Sequence, residues 1–159
     1  MNTKDLFTRK CGFTLVEIIV AISIVMILVV SGVISFVSFR NNQALSNSFS
    51  DTISLINEAK IDTISSKEGS AYGVHFEANR VVLFKGATFL EPNPDNHELS
   101  LSPLIEISSI SLMGGGADLL FNKLTGKTGQ YGSLSFRVKS DISKIKIINI
   151  TPSGSVDQN

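Results

Sequence analysis

The sequence predicts an α+β chain: one long N-terminal helix, membrane-spanning in its first half, packed against an antiparallel β-sheet head. Three observations predict it. Ile18 through Phe39 carries no charge and is dominated by isoleucine and valine. Beyond Arg40 the apolar residues narrow to a stripe at steps of three and four, the period of an amphipathic helix. From Tyr72 onward, short apolar segments alternate with polar residues between glycine, proline and asparagine clusters, the pattern of strands and turns.

The chain has 159 residues, room for one ordinary domain. Without the apolar segment and what precedes it, about 120 residues remain, near the size at which one core sustains itself. Acidic and basic residues balance at 14 each. Lys4, Asp5, Arg9 and Lys10 precede Phe13, so the remainder holds 11 basic and 13 acidic residues and is weakly acidic. That balance gives no general electrostatic reason to bind nucleic acid or an anionic membrane surface. The sole cysteine is Cys11, so no intramolecular disulfide can form.

As a helix, Phe13 to Phe39 would be about 40 Å long, and a hydrocarbon core needs ~20 apolar residues. A membrane span is therefore the first reading. Arg9 and Lys10 flank its start and only Arg40 its end, which puts the N-terminus in the cytoplasm and the body outside. A cleaved secretory signal would have a shorter apolar region followed by a small-residue site. Val29-Val30-Ser31-Gly32 is a passable site, but the run continues through Phe39 and Glu17 is out of place in such a region. A lipoprotein signal places its cysteine after the run, whereas Cys11 precedes it. A plain single-pass anchor leaves Gly12 and Glu17 unexplained.

Gly12-Phe13-Thr14-Leu15-Val16-Glu17, after a short basic leader and before an apolar helix, resembles the N-terminal motif of type IV pilins and pseudopilins. The resemblance implies that an aspartic prepilin peptidase cuts between Gly12 and Phe13 on the cytoplasmic side and N-methylates Phe13. Cys11 would leave with the leader. It also implies assembly with other pilin or pseudopilin subunits on an inner-membrane platform.

Glu17 is the energetic oddity of the span. An acid in the first turn of a helix gains about 0.3–1 kcal/mol from the dipole. In a filament its carboxylate can meet the Phe13 amine of a neighbouring subunit, offsetting a burial cost of roughly 2.5–3.5 kcal/mol at mid-membrane, and less near the edge. Such a pair sets axial register, as single buried polar groups do in coiled coils. The plain alternative is a glutamate snorkelling to water. Unlike many pilins, the span has no proline; Gly32, between Ser31 and Ser35, is its one soft point.

The stripe Leu45, Phe49, Ile53, Ile56, Ala59 or Lys60, and Ile64 continues the helix to about Ser66, with Ser46, Ser48, Ser50, Asp51 and Glu58 opposite and Gly69-Ser70 ending it. Strands follow at Tyr72–Glu77 and Arg80–Lys85, a hairpin about Ala78-Asn79. Residues 91–104 read as a long polar loop with Pro92, Pro94 and Pro103. Ile105–Met113, Asp118–Asn122, Ser133–Lys139 and Lys144–Ile150 read as further strands, with Ser155-Val156 closing the sheet. The Tyr72-Gly73-Val74…Phe76, Leu120-Phe121…Thr125-Gly126 and Lys146–Ile150…Ser153-Gly154-Ser155-Val156 segments look like those of H-type minor pseudopilins and FimT-like minor pilins. Some FimT-like members are thought to bind DNA through arginines beside the C-terminal glycine. Here that place reads Ser153-Gly154-Ser155-Val156-Asp157, without arginine, which speaks against nucleic acid as a partner.

Little else carries chemistry. Gly126-Lys127-Thr128 imitates the end of a P-loop, but the earlier glycine is replaced by Phe121. His75 and His97 have no acidic partner placed by sequence, and no serine sits in a nucleophile elbow. Glu91, Asn93, Asp95, His97 and Glu98 offer alternating ligands for a hard cation, though a solvated turn is the stronger reading. Arg137, Lys139, Lys144 and Lys146 read as the wet face of a sheet, or as contact with an acidic neighbouring subunit. No catalytic residue, cofactor or metal ligand is assigned.

The expected divisions are a leader (1–12), a transmembrane and filament-core helix (13–40), an amphipathic helix (41–66) and a β-rich head (67–159). With no disulfide and an H-type look, the resemblance implies a minor structural subunit of a pilus-like filament or secretion pseudopilus, not an enzyme. A membrane-tethered extracytoplasmic binding module and a competence minor pilin contacting DNA remain open as alternatives.

Overall fold

The computed structural model describes residues 12–158 in two compact units that divide after Phe39. Lys4, Asp5, Arg9, Lys10 and Cys11, all in the expected leader, lie outside the described residues. One helix, α1 (Leu15–Ile64), contributes to both units.

In the first unit α1 is apolar on every side, from Leu15 to Phe39. Its only hydroxyl groups after Thr14 with a described bond turn inward: Ser23, Ser31 and Ser35 donate to the carbonyls of Ile19, Ile27 and Ser31 at 2.8, 2.9 and 3.1 Å. These three hydroxyls are thus bonded within their own helix, which suits a medium without water.

In the second unit α1 buries Asn41, Leu45, Ser48, Phe49, Thr52, Leu55, Ile56, Ala59 and Thr63. The stripe is therefore rotated from the predicted one. Ile53 packs only at the core rim and Ile64 is 39% exposed, while Ser48, expected outside, is inside. Hydroxyls are tolerated there because they are bonded: Thr52 donates to the Ser48 carbonyl at 2.8 Å, and Ser48 Oγ accepts the Ser102 N–H at 3.3 Å. The helix stops at Ile64, two residues before the expected end. Ser66 then takes φ 50°, and a 3-10 turn, Lys67–Gly69, leads to the strands.

The strands are β1 (Tyr72–Phe76), β2 (Arg80–Lys85), β3 (His97–Ser100), β4 (Ile105–Leu112), β5 (Asp118–Leu120), β6 (Gly132–Val138), β7 (Asp141–Ile150) and β8 (Val156–Gln158). They form two four-stranded antiparallel sheets, β3-β2-β1-β5 and β4-β6-β7-β8, where the sequence predicted one. Alternation identifies a strand and its faces but not its neighbour. Here β5 returns to β1 instead of pairing with β4, and that splits the head. Two further corrections concern boundaries. The polar loop at 91–104 contains β3, an edge strand whose mixed HELS sequence hides its period, and β7 begins at Asp141 rather than Lys144.

Both sheets turn their inner faces to the same helical stripe. Val74, Phe76, Val81 and Leu119 from one, with Ile105, Leu134, Phe136, Val138 and Ile148 from the other, join Phe49, Ile56 and Ala59 in one core. The β1–β2 sheet also carries a small outer cluster. Val82 and Phe84 are buried under residues 86–96, where Phe89 stacks on His75 with ring centroids 4.0 Å apart and meets Phe84 edge-on.

Thr63 ties the end of α1 to the start of β1. Its hydroxyl accepts the Tyr72 N–H at 2.8 Å and donates to the Ala59 carbonyl at 2.8 Å, with the Tyr72 carbonyl at 3.1 Å. Thr63→Val keeps the shape but strands the buried Tyr72 N–H, a loss of about 1–3 kcal/mol. Denaturant unfolding of the full chain in detergent should show that loss, and Thr63→Ser should restore most of it.

Candidate functional site

The candidate site begins at Gly12, just ahead of α1. Nothing lies within 4 Å of where a Gly12 Cβ would stand, and Phe13 is 77% exposed. The fold itself therefore makes no demand for glycine at residue 12. Thr14 caps the helix: its Oγ1 accepts the Glu17 N–H at 3.2 Å, and its carbonyl accepts the Ile18 N–H at 3.2 Å. Glu17 occupies the third helical position, so Thr14-x-x-Glu17 has the spacing of a capping box. Thr14 is the positioning residue that the sequence reading missed; the spacing alone would have found it. The cap fixes where the helix starts, and with it the place of Glu17 one turn inside an uncharged, exposed apolar helix.

Past Leu15 the helix rises roughly 38 Å to Phe39 at ~1.5 Å per residue. That is long and apolar enough to cross a membrane. Phe13 is 77% exposed and Leu28, Phe36 and Phe39 are each 66% exposed, so this unit leaves much of its apolar surface uncovered.

The head places the remaining candidate residues as follows. Glu91 and Glu98, in the segment read first as a solvated turn and only second as a hard-cation site, hold Arg80. Its guanidinium donates to both oxygens of Glu77 (2.9 and 2.8 Å), both of Glu91 (2.8 and 2.7 Å) and one of Glu98 (3.2 Å). One arginine thus saturates its donor fork on three carboxylates. The Arg80 hydrogen bonds hold the Glu77 and Glu91 carboxyls below the usual range, and the same bonds push Arg80 up. Among the described residues no group of three His, Cys, Asp or Glu side chains is placed to hold a metal ion. His75 does have acidic partners, Asp118 at 2.5 Å and Glu77 at 3.6 Å, brought together by the β1–β5 pairing.

The basic residues at 137–146 do not form a single wet face. Arg137 is on the outer face with Glu106 at 2.6 Å. Lys146 lies opposite buried Phe136 and shares the parity of buried Ile148 and Ile150, so it points to the core side of β7, whereas a register shift precedes it at Lys144. Lys146 reaches over the Phe49 ring, 5.1 Å from its centroid, to Ser46 Oγ at 3.2 Å. Its aliphatic stem covers apolar surface while its ammonium escapes at the rim. Gly126-Lys127-Thr128 lies in a turn, not between a strand and a helix. Gly126 has φ +63°, and a Cβ there would stand 2.6 Å from Ile64 Cδ1. Ser153-Gly154-Ser155 forms the bend between β7 and β8.

Residues 7–33 match the prokaryotic N-terminal methylation motif, a stretch that includes Gly12, Phe13 and Glu17. No curated protein matches the sequence. The fold is similar to that of the type IV minor pilin FimU of Pseudomonas aeruginosa (strain PAO1) in two crystal forms. In space group P65 the identity is 9%, the TM-score 0.55, and the likeness covers 72% of this chain and 92% of that one. In space group P21 the values are 9%, 0.57, 76% and 92%.

The Arg80 cluster sets a pH dependence. Carboxyls held below their unfolded value stabilise the fold above that value, about pH 4.3 for glutamate, and the contribution is lost as pH falls through the lower folded value. Urea midpoints should therefore fall below about pH 4. In Arg80→Gln the three carboxylates repel at neutral pH, so the variant should be weaker there, with its deficit shrinking as acid protonates them.

Proposed function

With a methylation motif at the head of a minor-pilin fold as the premise, we propose that this chain is a minor pilin or pseudopilin, a structural subunit of a type IV pilus-like filament. The observation that carries the reading is the coincidence of that motif with the start of α1. A cut between Gly12 and Phe13 would leave a new amine two residues before Leu15, at the capped end of an uncharged apolar helix.

In this reading a prepilin peptidase removes residues 1–12 and methylates Phe13, and the mature protein then contains no cysteine. Residues 13–40 first span the inner membrane, N-terminus inside and head outside. They then pass through the assembly platform into the filament core. The carboxylate of Glu17 meets the Phe13 amine of a neighbouring subunit, which sets the axial register. The H-type resemblance adds a minor, initiating or tip-proximal place and leaves both pilus and secretion pseudopilus within the proposal. Residues 41–66 and 67–159 form the head that neighbouring subunits meet.

Intact-mass and N-terminal analysis of the protein from native membranes tests the reading. A chain beginning at N-methyl-Phe13 supports it, and an unprocessed N-terminus sinks it. Gly12→Val should block cleavage while leaving the fold unchanged, because the space around residue 12 is open and only the peptidase reads it. Glu17→Val should be cut normally yet be depleted from sheared filaments. Equal incorporation would refute the role given to the carboxylate.

A further inference from the structure

The connection between β6 and β7 and the first residues of β7 carry isoleucines and lysines that neither the core nor the proposed filament helix uses. Ile142 is 69% exposed and Ile145 50% exposed. Lys139 is exposed and bonded only to the neutral Asn79 side chain, at 3.3 Å. Lys144 stands 4.0 Å from Asp141, at the limit of an ion pair. Asp141 is engaged with the hydroxyl and N–H of Ser143, at 2.6 and 3.2 Å. Ile142 and Ile145 thus stand exposed close in sequence to two lysines, in a grouping that no core contact uses.

Where this connection sits supplies the partner. Ser140 Oγ accepts a hydrogen bond from Asn41 Nδ2 at 3.3 Å. Asn41 is two residues past Phe39, the last residue of the apolar run, a helical rise of about 3 Å. A hairpin that touches Asn41 is therefore next to the point where the chain leaves a bilayer, if residues 13–39 span it. Basic residues flanking exposed aliphatic ones are the composition of segments that lie in the headgroup region. The weakly acidic average of the body conceals this local positive charge.

We propose that the β6–β7 connection and the start of β7, residues 139–145, dock the membrane-resident subunit onto the bilayer surface. Ile142 and Ile145 enter the headgroup–acyl boundary, and Arg40, Lys139 and Lys144 meet the phosphates of anionic lipids. The contact rests on the reading of residues 13–39 as a membrane span. It holds the head against the membrane before assembly and is given up when the subunit is extracted into a filament.

The test uses the full chain with Cys11→Ser, at low protein-to-lipid ratio, in vesicles of phosphatidylethanolamine and phosphatidylglycerol containing a spin-labelled lipid. A fluorophore is attached at Ser143→Cys beside the isoleucines, at Leu124→Cys as an exposed control in the head, or at Val25→Cys within the span. Lipid quenching at residue 143 should clearly exceed that at 124. The docked-to-free ratio should fall about fivefold for each of Lys139→Gln and Lys144→Gln, and should fall again in Ile142→Ser or without phosphatidylglycerol. If 25 is quenched while 143 behaves like 124, the docking is refuted and the span stands. If 25 is not quenched, the span reading fails and takes this inference with it. Shielding at 143 that grows with protein-to-lipid ratio assigns the surface to a second copy and also overturns the proposal.

Discussion

The apolar stripe that α1 presents past Arg40 must be kept from water, and this constraint governs the head. Two small sheets, neither able to bury its apolar face alone, share that stripe and close one core. Before Arg40 the apolar residues after Thr14 are helical, and Ser23, Ser31 and Ser35 bond back to their own helix. The head therefore depends on a helix that gives each sheet its cover.

The features legible in the sequence were those set by local period and local charge. The uncharged run, Leu134, Phe136 and Val138 on β6, and the hairpin at Ala78-Asn79 all emerge where pattern places them. What was illegible depended on partners distant in sequence. Nothing in Asp118–Leu120 says that it pairs with β1, and nothing in HELS says that it edges β2. Ser48, Thr52 and Thr63 broke the stripe because hydroxyls score as polar until their acceptors are known. Lys146 was assigned to water because charge dominates such a reading, whereas the long stem of lysine lets it lie across an aromatic ring at a core rim.

The candidate site divides along the same line. Gly12, Phe13 and Glu17 stand out because each breaks a local rule, and Thr14 completes them through a spacing that was visible but unused. In the head, the loop carboxylates read as a solvated turn, with a cation site as the weaker alternative, because Arg80 is well removed in sequence from Glu91 and Glu98. Its guanidinium already supplies the positive charge that an ion would have brought. A single arginine thereby fastens β2, the end of β1, the loop after β2 and β3, which is a structural role for charges that sequence alone would assign to binding.

Sequence distance has a consequence for how the protein is made. Asn41 bonds Ser140, and Ser46 bonds Lys146, pairs separated by 99 and 100 positions. The stripe of α1 that begins at Leu45 is fully covered only when β6 and β7 arrive. During synthesis the helix is therefore complete long before its cover exists, and the head has a stage with an open apolar groove and unpaired strands. Such high contact order slows folding and exposes the chain to misassociation.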